Sequence, residues 1–208
     1  MTTSEERAFT ERVEAGLVRA LSPPSLGDSG VLALAARHLC LAAGAKRGRP
    51  RLVWLFAHCL EQPPPITALT DVAVAAELIH SASLLHDDVV DHGSLRRGLP
   101  TANARWGNTV AVLAGDLLLT TALAQLQRHP RSLTRKANET IGAMTRAAIA
   151  EVEARGRLDL SAAHWRRIAV GKTGALFSWC ASAVASLGAD RTDALRRAGQ
   201  ASVCCLPP

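Results

Sequence analysis

The sequence predicts an all-α protein, and three observations support this fold class. The 208 residues are rich in alanine, leucine and arginine, which favour helices, whereas only 3% are aromatic residues, which favour strands. Apolar residues make up 48% of the chain, which is enough to build a buried core. Proline and glycine clusters divide the chain into helix-length stretches with short connections. We therefore expect an antiparallel helical bundle.

Helix breakers set the order of the predicted elements. A first loop spans 22–30, a basic turn runs from Gly44 to Pro50, and prolines at 63–65 form a stop, since proline cannot continue a helix. The elements that follow are a helix over 66–92, a glycine-containing loop over 93–107, helices over 108–127 and 132–154, a helix over 161–186 with Ser161 as its N-cap, and a polar helix over 190–200.

Charge, cysteines and hydropathy narrow the functional classes. The net charge is +6, but the arginines are scattered as on solvated helix faces, and the scarcity of lysine and aromatics argues against a nucleic-acid partner. Cys40, Cys59 and Cys180 lie in apolar helical patterns, so we expect reduced core residues of a cytoplasmic protein. The apolar run 173–189 is slightly short for a membrane span, and its serines at helical spacing favour a buried helix, so no transmembrane segment is expected.

The end of the predicted helix 66–92 carries three aspartates. On an ideal wheel Asp87 and Asp91 share a face, with His80 on the same stripe two turns earlier, whereas Asp88 points about 100° away. Two carboxylates one turn apart repel each other unless a cation lies between them, and oxygen ligands suit Mg²⁺. The alternative is a solvated acidic helix end, but the apolar residues before and within the motif argue against it.

Two adjacent arginines follow the aspartates. Arg96 and Arg97 lie in the loop from Gly93 to Gly98, where flanking glycines allow them to approach a phosphate near Asp91. Guanidinium groups bind phosphate oxygens through a planar fork of donors. Aspartates and arginines together predict a site that holds a diphosphate through magnesium.

Three motifs carry a resemblance to a known family. The segments 77–91 (ELIHSASLLHDDVVD), 95–103 (LRRGLPTAN) and 114–119 (AGDLLL) resemble those of the trans-isoprenyl diphosphate synthases, the polyprenyl synthetase family. The resemblance covers roughly 32–199. It implies an all-helical fold around a deep central cavity, usually in a homodimer, and a prenyltransferase that joins an allylic diphosphate to isopentenyl diphosphate.

The resemblance also implies a site for isopentenyl diphosphate. The turn 44–50 (GAKRGRP) looks like the family's basic turn. Lys46 and Arg49 of this turn would bind the diphosphate of isopentenyl diphosphate, together with His80 and Arg97.

The allylic substrate would bind at the aspartates. The resemblance implies that Asp87 and Asp91 hold Mg²⁺ ions that bridge to the allylic diphosphate, with Asp88 in support. Arg96 would contact the same diphosphate. The pair Lys172–Thr173 resembles the family's Lys-Thr pair, which touches the leaving diphosphate.

Product length is expected to depend on Ala82 and Ser83, which stand five and four residues before Asp87. In the family these positions form the floor of the product pocket, and here both residues are small. Only Ser83 shares the Asp87 face on an ideal wheel. We therefore expect a geranylgeranyl or longer product.

The C-terminal sequence departs from the family. A second aspartate-rich motif is expected on a later helix, but no acidic residue follows Asp193, and the chain closes with ASVCCLPP from Ala201. This pattern predicts a truncation or a change of reading frame near Ala201. On this expectation 1–208 is a single, incomplete domain without its C-terminal helices, and its synthase activity is weak or absent.

Two other functions compete with a synthase. The chain could be a non-catalytic subunit of a heteromeric prenyl synthase, since some family members work as unequal pairs. The dipeptide His86–Asp87, with His58, His80 and His92 nearby, also suggests an HD-type metal phosphohydrolase. That chemistry needs histidines that converge on a transition metal, and His86 and His92 do not share the stripe of His80.

Overall fold

The computed structural model describes residues 3–22, 30–42 and 44–188, and it confirms the all-α class. The chain forms two compact units. The first contains the described residues up to Arg51 and then Thr70–Arg128, and the second contains Leu52–Leu69 and the described residues from His129 to Gly188. The predicted helix over 190–200 and the departure after Ala201 lie outside the described residues. That this is one incomplete domain stays a prediction.

The first unit contains most of the residues predicted to bind substrate. Its elements are α1 (Thr3–Ala20), α2 (Gly30–Cys40), the start of α3 (Gly48–His58), most of α4 (Ile66–Val90), β1 (Leu95–Arg96), β2 (Leu99–Pro100), α5 (Ala102–Trp106) and α6 (Asn108–Leu126). The helix predicted over 66–92 is therefore present as α4. Helix α6 packs against α2 and α5.

Helix α4 is the centre of this unit. Residues 72–76 are all fully buried, because valine and alanine side chains on every side of the helix let its neighbours come close. Gly16 of α1 shows how close they come, since a Cβ on Gly16 would lie 2.6 Å from Cγ2 of Val74. This packing fixes the helix that carries the aspartates.

The second unit contains α7 (Arg131–Ala154), α8 (Ala162–Ala169), a π-helical segment (Val170–Gly174) and α9 (Ala175–Leu187). Ser161 caps α8 as predicted, because its hydroxyl accepts a hydrogen bond from the His164 amide at 3.2 Å. The single helix predicted over 161–186 is interrupted by the π-helical segment. Gly171 lies in that segment, where a Cβ would be 2.6 Å from Cβ of Ala147 on α7.

Three local predictions differ from the structure. The loop predicted over 93–107 contains a two-stranded hairpin and the short helix α5, whose N-cap is Thr101. Helix α3 begins at Gly48, inside the predicted basic turn, because Pro50 lies in its first turn where no helical N–H is needed. Cys40 and Cys180 are buried as expected, whereas Cys59 is exposed, so its placement in the core was wrong.

Within the part of the chain that the structure describes, three helical stretches are long and apolar enough to cross a membrane by length and composition alone. They are Ile66–Val90, Asn108–Leu126 and Ala162–Leu187, the last of which extends the run that the sequence shows as short. In the most apolar part of each stretch, the buried fraction of the residues is 72%, 33% and 50%, in the same order. The expectation that no segment crosses a membrane stays a prediction.

Candidate active site

The last turn of α4 presents two of the three aspartates. The Asp91 amide donates to the Asp87 carbonyl at 2.8 Å, so the two residues stand one helical turn apart, as the wheel requires. Asp87 is half-buried and Asp91 is exposed. The chain then leaves the helix at His92, which has a left-handed φ of 53°. Two carboxylates therefore lie together at a helix end that ligands can reach.

Asp88 has a different environment. Its side chain is only 7% exposed, and it accepts three N–H···O contacts from Arg96: from Nε at 3.1 and 3.0 Å, and from Nη2 at 2.7 Å. Asp88 therefore binds and orients Arg96, which fits the expectation that Asp88 supports the substrate site without itself binding Mg²⁺. This ion pair ties the loop after the helix to the helix itself.

Arg96 lies in the field of all three aspartates. Its pKa is raised, first by the hydrogen bonds to Asp88 and also by the charges of Asp87 and Asp91. The pair with Asp88 uses Nε and Nη2. A guanidinium carries five N–H donors, so Arg96 can hold Asp88 and still offer a donor to a phosphate.

Arg97 occupies the tip of a tight hairpin. Because Leu95 pairs with Pro100 and Arg96 with Leu99, the turn consists of Arg97 and Gly98 alone. Both have left-handed backbones, with φ of 53° and 80°, as in a type I′ turn. A bulky residue is strained in this conformation, and such strain is often found where a side chain must be aimed. Arg97 is exposed and available to an anion.

Thr101 and Asn103 fasten the hairpin to the end of α4. The Thr101 hydroxyl donates to the Gly93 carbonyl at 2.7 Å, and Nδ2 of Asn103 donates to the same oxygen at 3.0 Å and to the Asp88 carbonyl at 3.3 Å. Sequence reasoning assigned these two residues no role. A signal was present, because a threonine directly before a short helix is a common N-cap.

The basic turn before α3 has one arginine that points inward. Lys46 is exposed and Arg49 is half-buried, whereas Arg47 is only 6% exposed. The Arg47 guanidinium binds Glu14 of α1 and Glu77 of α4. The sequence gave no sign that the middle arginine differs from its neighbours, and its partners were not foreseen.

His80 lies within the cluster of cations. Burial, together with the positive charges of Arg49, Arg97 and Arg96, lowers the pKa of His80 to about 3. The imidazole is therefore neutral at physiological pH. Because these charges act on His80, the structure brings together His80, Arg49 and Arg97, three of the four residues predicted to bind isopentenyl diphosphate.

Ala82 and Ser83 differ in exposure. Ala82 is fully buried, whereas Ser83 is half-buried and its hydroxyl donates to the His80 carbonyl at 2.8 Å. Of the two predicted pocket residues, Ser83 is the one whose side chain is partly accessible. The geometric preference for Ser83 over Ala82 is consistent with this difference.

A glycine on α6 makes room for His86. Nε2 of His86 lies 3.2 Å from the Val112 carbonyl oxygen and 3.4 Å from Oδ1 of Asp116. A Cβ on Gly115 would overlap the His86 ring. The AGDLLL motif of the sequence therefore contacts the residue next to Asp87, which is a role that the motif alone did not reveal.

Lys172 and Thr173 belong to the second unit, in the π-helical segment. The Lys172 ammonium forms a close ion pair with Glu151 of α7. Sequence reasoning missed Glu151. π-Helical turns within longer helices occur often at functional sites, since they re-aim the side chains that they carry.

The aspartates suit a magnesium ion that the protein binds only in part. Over residues 3–22, 30–42 and 44–188, no group of three or more histidine, cysteine, aspartate or glutamate residues could hold a metal by itself. Mg²⁺ commonly takes one or two carboxylates and completes its shell with water and phosphate oxygens. Asp87 and Asp91 fit this need, whereas an HD-type centre would require a full protein ligand set.

The fold and the site together define an all-α protein with a carboxylate pair and a cationic cluster suited to diphosphates. Residues 31–203 match the polyprenyl synthetase family, and the chain belongs to that family. It is 36% identical over 181 residues to the geranylgeranyl diphosphate synthase of Rhodobacter capsulatus, covering 82% of this chain and 60% of that protein. It is 40% identical over 149 residues to heptaprenyl diphosphate synthase component 2 of Geobacillus stearothermophilus, covering 71% and 44%.

A solved structure supports the fold. The polyprenyl synthase of Caulobacter crescentus CB15, complexed with calcium and isoprenyl diphosphate, superposes with a TM-score of 0.81 at 29% identity. The match covers 95% of this chain and 61% of that chain. The first curated relatives are longer proteins, and this chain spans 40% to 60% of their length.

Proposed function

We propose that this chain is a prenyltransferase that condenses an allylic diphosphate with isopentenyl diphosphate in the presence of Mg²⁺. The observation that carries the proposal is the carboxylate pair Asp87 and Asp91, one turn apart at an accessible helix end, with Arg96 in the field of both. Family membership and the diphosphate named in the Caulobacter structure support it.

The allylic diphosphate binds at the end of α4. Asp87 and Asp91 would hold Mg²⁺, which supplies charge neutralisation to the diphosphate and makes it a better leaving group. Arg96, held in place by Asp88, donates to the same diphosphate. The family resemblance assigns Lys172 and Thr173 to the leaving diphosphate, and within the second unit Lys172 is paired with Glu151. These groups stabilise the charge that develops on the leaving group.

Isopentenyl diphosphate binds at the cationic cluster. Lys46, Arg49 and Arg97 neutralise its diphosphate, and neutral His80 contributes one N–H donor without adding charge. In the reaction the allylic C–O bond breaks and its electron pair leaves with the diphosphate. The double bond of isopentenyl diphosphate then forms the new C–C bond, and loss of a proton completes the product. No protein nucleophile takes part.

The product is geranylgeranyl or longer in this proposal. The names of the relatives include geranylgeranyl, heptaprenyl and nonaprenyl diphosphate synthases, so the names alone leave the product length open. The small, partly accessible Ser83 supports a tunnel that stays open below the aspartates. Ser83→Phe should shorten the product, because an aromatic ring would fill that space. An unchanged product length would refute the role of Ser83.

A turnover assay tests the proposed reaction. The purified chain is incubated with Mg²⁺, labelled isopentenyl diphosphate and geranyl or farnesyl diphosphate, and prenyl products are separated by length. Because the sequence predicts weak or absent synthase activity, we expect at most slow labelling of products, and loss of that labelling in Asp91→Asn. The matched control is Asp159→Asn, since Asp159 pairs with Arg157 on an exposed surface. If neither product nor bound diphosphate is found, the proposal is wrong.

A second candidate is a subunit of a heteromeric synthase. It is favoured by two relatives whose names describe them as component 2 of a heptaprenyl diphosphate synthase. The same turnover assay separates the two candidates. Products from the chain alone support the first, whereas products that form only after a related subunit is added support the second.

The chain is also proposed to act as a homodimer, with a related subunit as the alternative partner. Helix α6 has a mean hydropathy of 1.6 over its most apolar window, yet only 33% of that window is buried. Val112 and Leu113 on this helix are 38% and 47% exposed. Apolar surface of this kind is commonly covered in an assembly. A second copy of the chain would supply an equivalent apolar helix.

A further inference from the structure

Arg47 is the most enclosed cation among the described residues that form ion pairs. Its side chain is 5% exposed. Nε donates to Oε1 of Glu14 at 2.5 Å, Nη2 donates to Oε2 of Glu14 at 2.9 Å, and Nη1 donates to Oε1 of Glu77 at 2.9 Å. Nη2 also donates to the carbonyl of Cys40 at 2.8 Å. All three nitrogens of the guanidinium are therefore committed to protein oxygens.

These contacts connect the basic turn to three helices at once. Glu14 belongs to α1, Cys40 is the last residue of α2, and Glu77 lies on α4. Arg47 itself has a left-handed φ of 47°, which is costly for a residue with a long side chain. The buried contacts are what compensate this backbone conformation. Turn and side chain thus hold each other in one arrangement.

Glu77 depends on this arrangement as strongly as Arg47 does. Its side chain is 7% exposed, and within the described ranges its second oxygen, Oε2, is buried without a hydrogen-bond partner. A buried carboxylate needs its counter-charge, since burial without one is unfavourable. The pair Arg47–Glu77 is therefore a fixed point between the turn and α4.

The two residues beside Arg47 are the ones proposed to bind isopentenyl diphosphate. Lys46 precedes Arg47 and is exposed, and Arg49 follows two residues later, half-buried. Glu77 stands three residues before His80, on the same side of α4. Arg49 is close enough to His80 for its charge to act on the imidazole. The basic turn and α4 therefore lie side by side over about one helical turn. Arg47 forms an ion pair with Glu77, and Arg49 lies near His80, three residues further along the helix.

We infer that Arg47 and Glu77 are positioning residues that aim Lys46 and Arg49 at the diphosphate of isopentenyl diphosphate without touching it. The inference rests on the proposed function, because it assigns those two cations their ligand. It predicts a selective defect. Loss of the buried pair weakens the site for isopentenyl diphosphate, whereas the Mg²⁺ and allylic site at the end of α4 keeps its affinity.

The test replaces the buried pair with apolar residues of similar length, as Arg47→Met together with Glu77→Met. Exchange of a buried ion pair for apolar side chains is often neutral for stability, so folding and positioning can be separated. The matched control is Arg157→Met together with Asp159→Met, which removes one exposed pair of the same charges. Glu14→Gln, at the half-exposed partner, is a milder variant in case the double variant folds poorly.

Two readouts follow the variants. Calorimetry measures the affinity for isopentenyl diphosphate and, separately, for an unreactive allylic thiodiphosphate with Mg²⁺. We expect isopentenyl diphosphate to bind about tenfold more weakly or worse, as when a charge-assisted contact is lost, with the allylic analogue unchanged. NMR titration of His80 measures whether the basic turn keeps its position, because the charge of Arg49 acts on the imidazole. Its pKa should rise above about 3 as the charge of Arg49 moves away, while burial still holds it below its ordinary value.

The outcomes are distinct. If the double variant is folded and binds isopentenyl diphosphate as the unmodified chain does, with the His80 titration unchanged, the inference is wrong. An equal loss for both diphosphates would mean a general structural defect and would also overturn it. Failure of the unmodified chain to bind either diphosphate would instead refute the proposed function, and the inference would fall with it.

Discussion

Removal of Arg96 should destabilise the fold mainly by stranding Asp88. The Asp88 side chain is 7% exposed and accepts three N–H···O contacts from Arg96, whose own side chain is 31% exposed. Loss of one partner from a buried ion pair costs about 3–5 kcal/mol, because the remaining charge is left without compensation. Water can reach the arginine side of this pair, so we expect the low end, about 3 kcal/mol for Arg96→Ala.

Replacement of Asp88 should lower the free energy of unfolding by less than replacement of Arg96 does. Asp88→Asn keeps an oxygen that Arg96 can donate to, and the partly exposed guanidinium can be solvated, so a loss of about 1.5 kcal/mol is expected, near that of one charge-assisted hydrogen bond. In the double variant neither charge is stranded. Its total loss should fall to about 1.5 kcal/mol, below that of Arg96→Ala alone, which implies a coupling energy of about 3 kcal/mol.

Urea unfolding of the four proteins, followed by circular dichroism at one pH, measures this cycle. The m-values should agree, so that differences in midpoint report stability. Losses that simply add, with a coupling below about 0.5 kcal/mol, would show that Asp88 and Arg96 act independently and would refute the reasoning.

Three further changes test other parts of the structure. Because the His80 pKa is about 3 in the folded protein and 6.5 is its ordinary value, the unfolded chain binds the proton between these values. Stability should therefore fall as the pH drops below about 6.5, by up to about 1.4 kcal/mol per pH unit, and His80→Gln should flatten that slope in pH-dependent urea unfolding. Gly171→Ala should cost about 1–3 kcal/mol by overpacking, since its Cβ would lie 2.6 Å from Cβ of Ala147. Gly142→Ala is the control, because its Cβ would meet only the flexible Arg146 side chain, at 3.3 Å, and a thermal melt that ranks the two variants equally would contradict the packing argument. Leu113→Glu should convert the dimer to a monomer in sedimentation equilibrium, and an unmodified chain that is already monomeric would refute the proposed α6 interface.

The sequence predicted those parts of the structure that follow from helical periodicity. Helix α4 runs from Ile66 to Val90, and Asp87 and Asp91 stand one turn apart as the wheel requires. Breakers located the other helix ends well, since prolines and glycines act locally. The helices α6 and α7 begin and end within one residue of the ranges predicted.

Other features depend on tertiary contacts that periodicity does not encode. The tip of the hairpin is Arg97–Gly98, which lacks the Asn-Gly signature of a type I′ turn, so the sequence indicated only a loop. Arg47 looks like its neighbours in the sequence, yet it alone finds two glutamates from distant helices. The π-helical segment lies where Gly171 meets α7, a contact between residues 24 positions apart in the sequence.

The most direct test of the central claim is binding of an allylic diphosphate that cannot react. Isothermal titration with an allylic thiodiphosphate, with and without Mg²⁺, is compared between the unmodified chain and Asp87→Asn combined with Asp91→Asn. Asp159→Asn combined with Glu139→Gln, at two exposed carboxylates of the second unit, is the matched control of equal charge. We predict binding that requires Mg²⁺ in the unmodified chain and in the control, and that is lost in the Asp87/Asp91 variant. Equal affinity with and without Mg²⁺, or binding that survives loss of both carboxylates, would contradict the account.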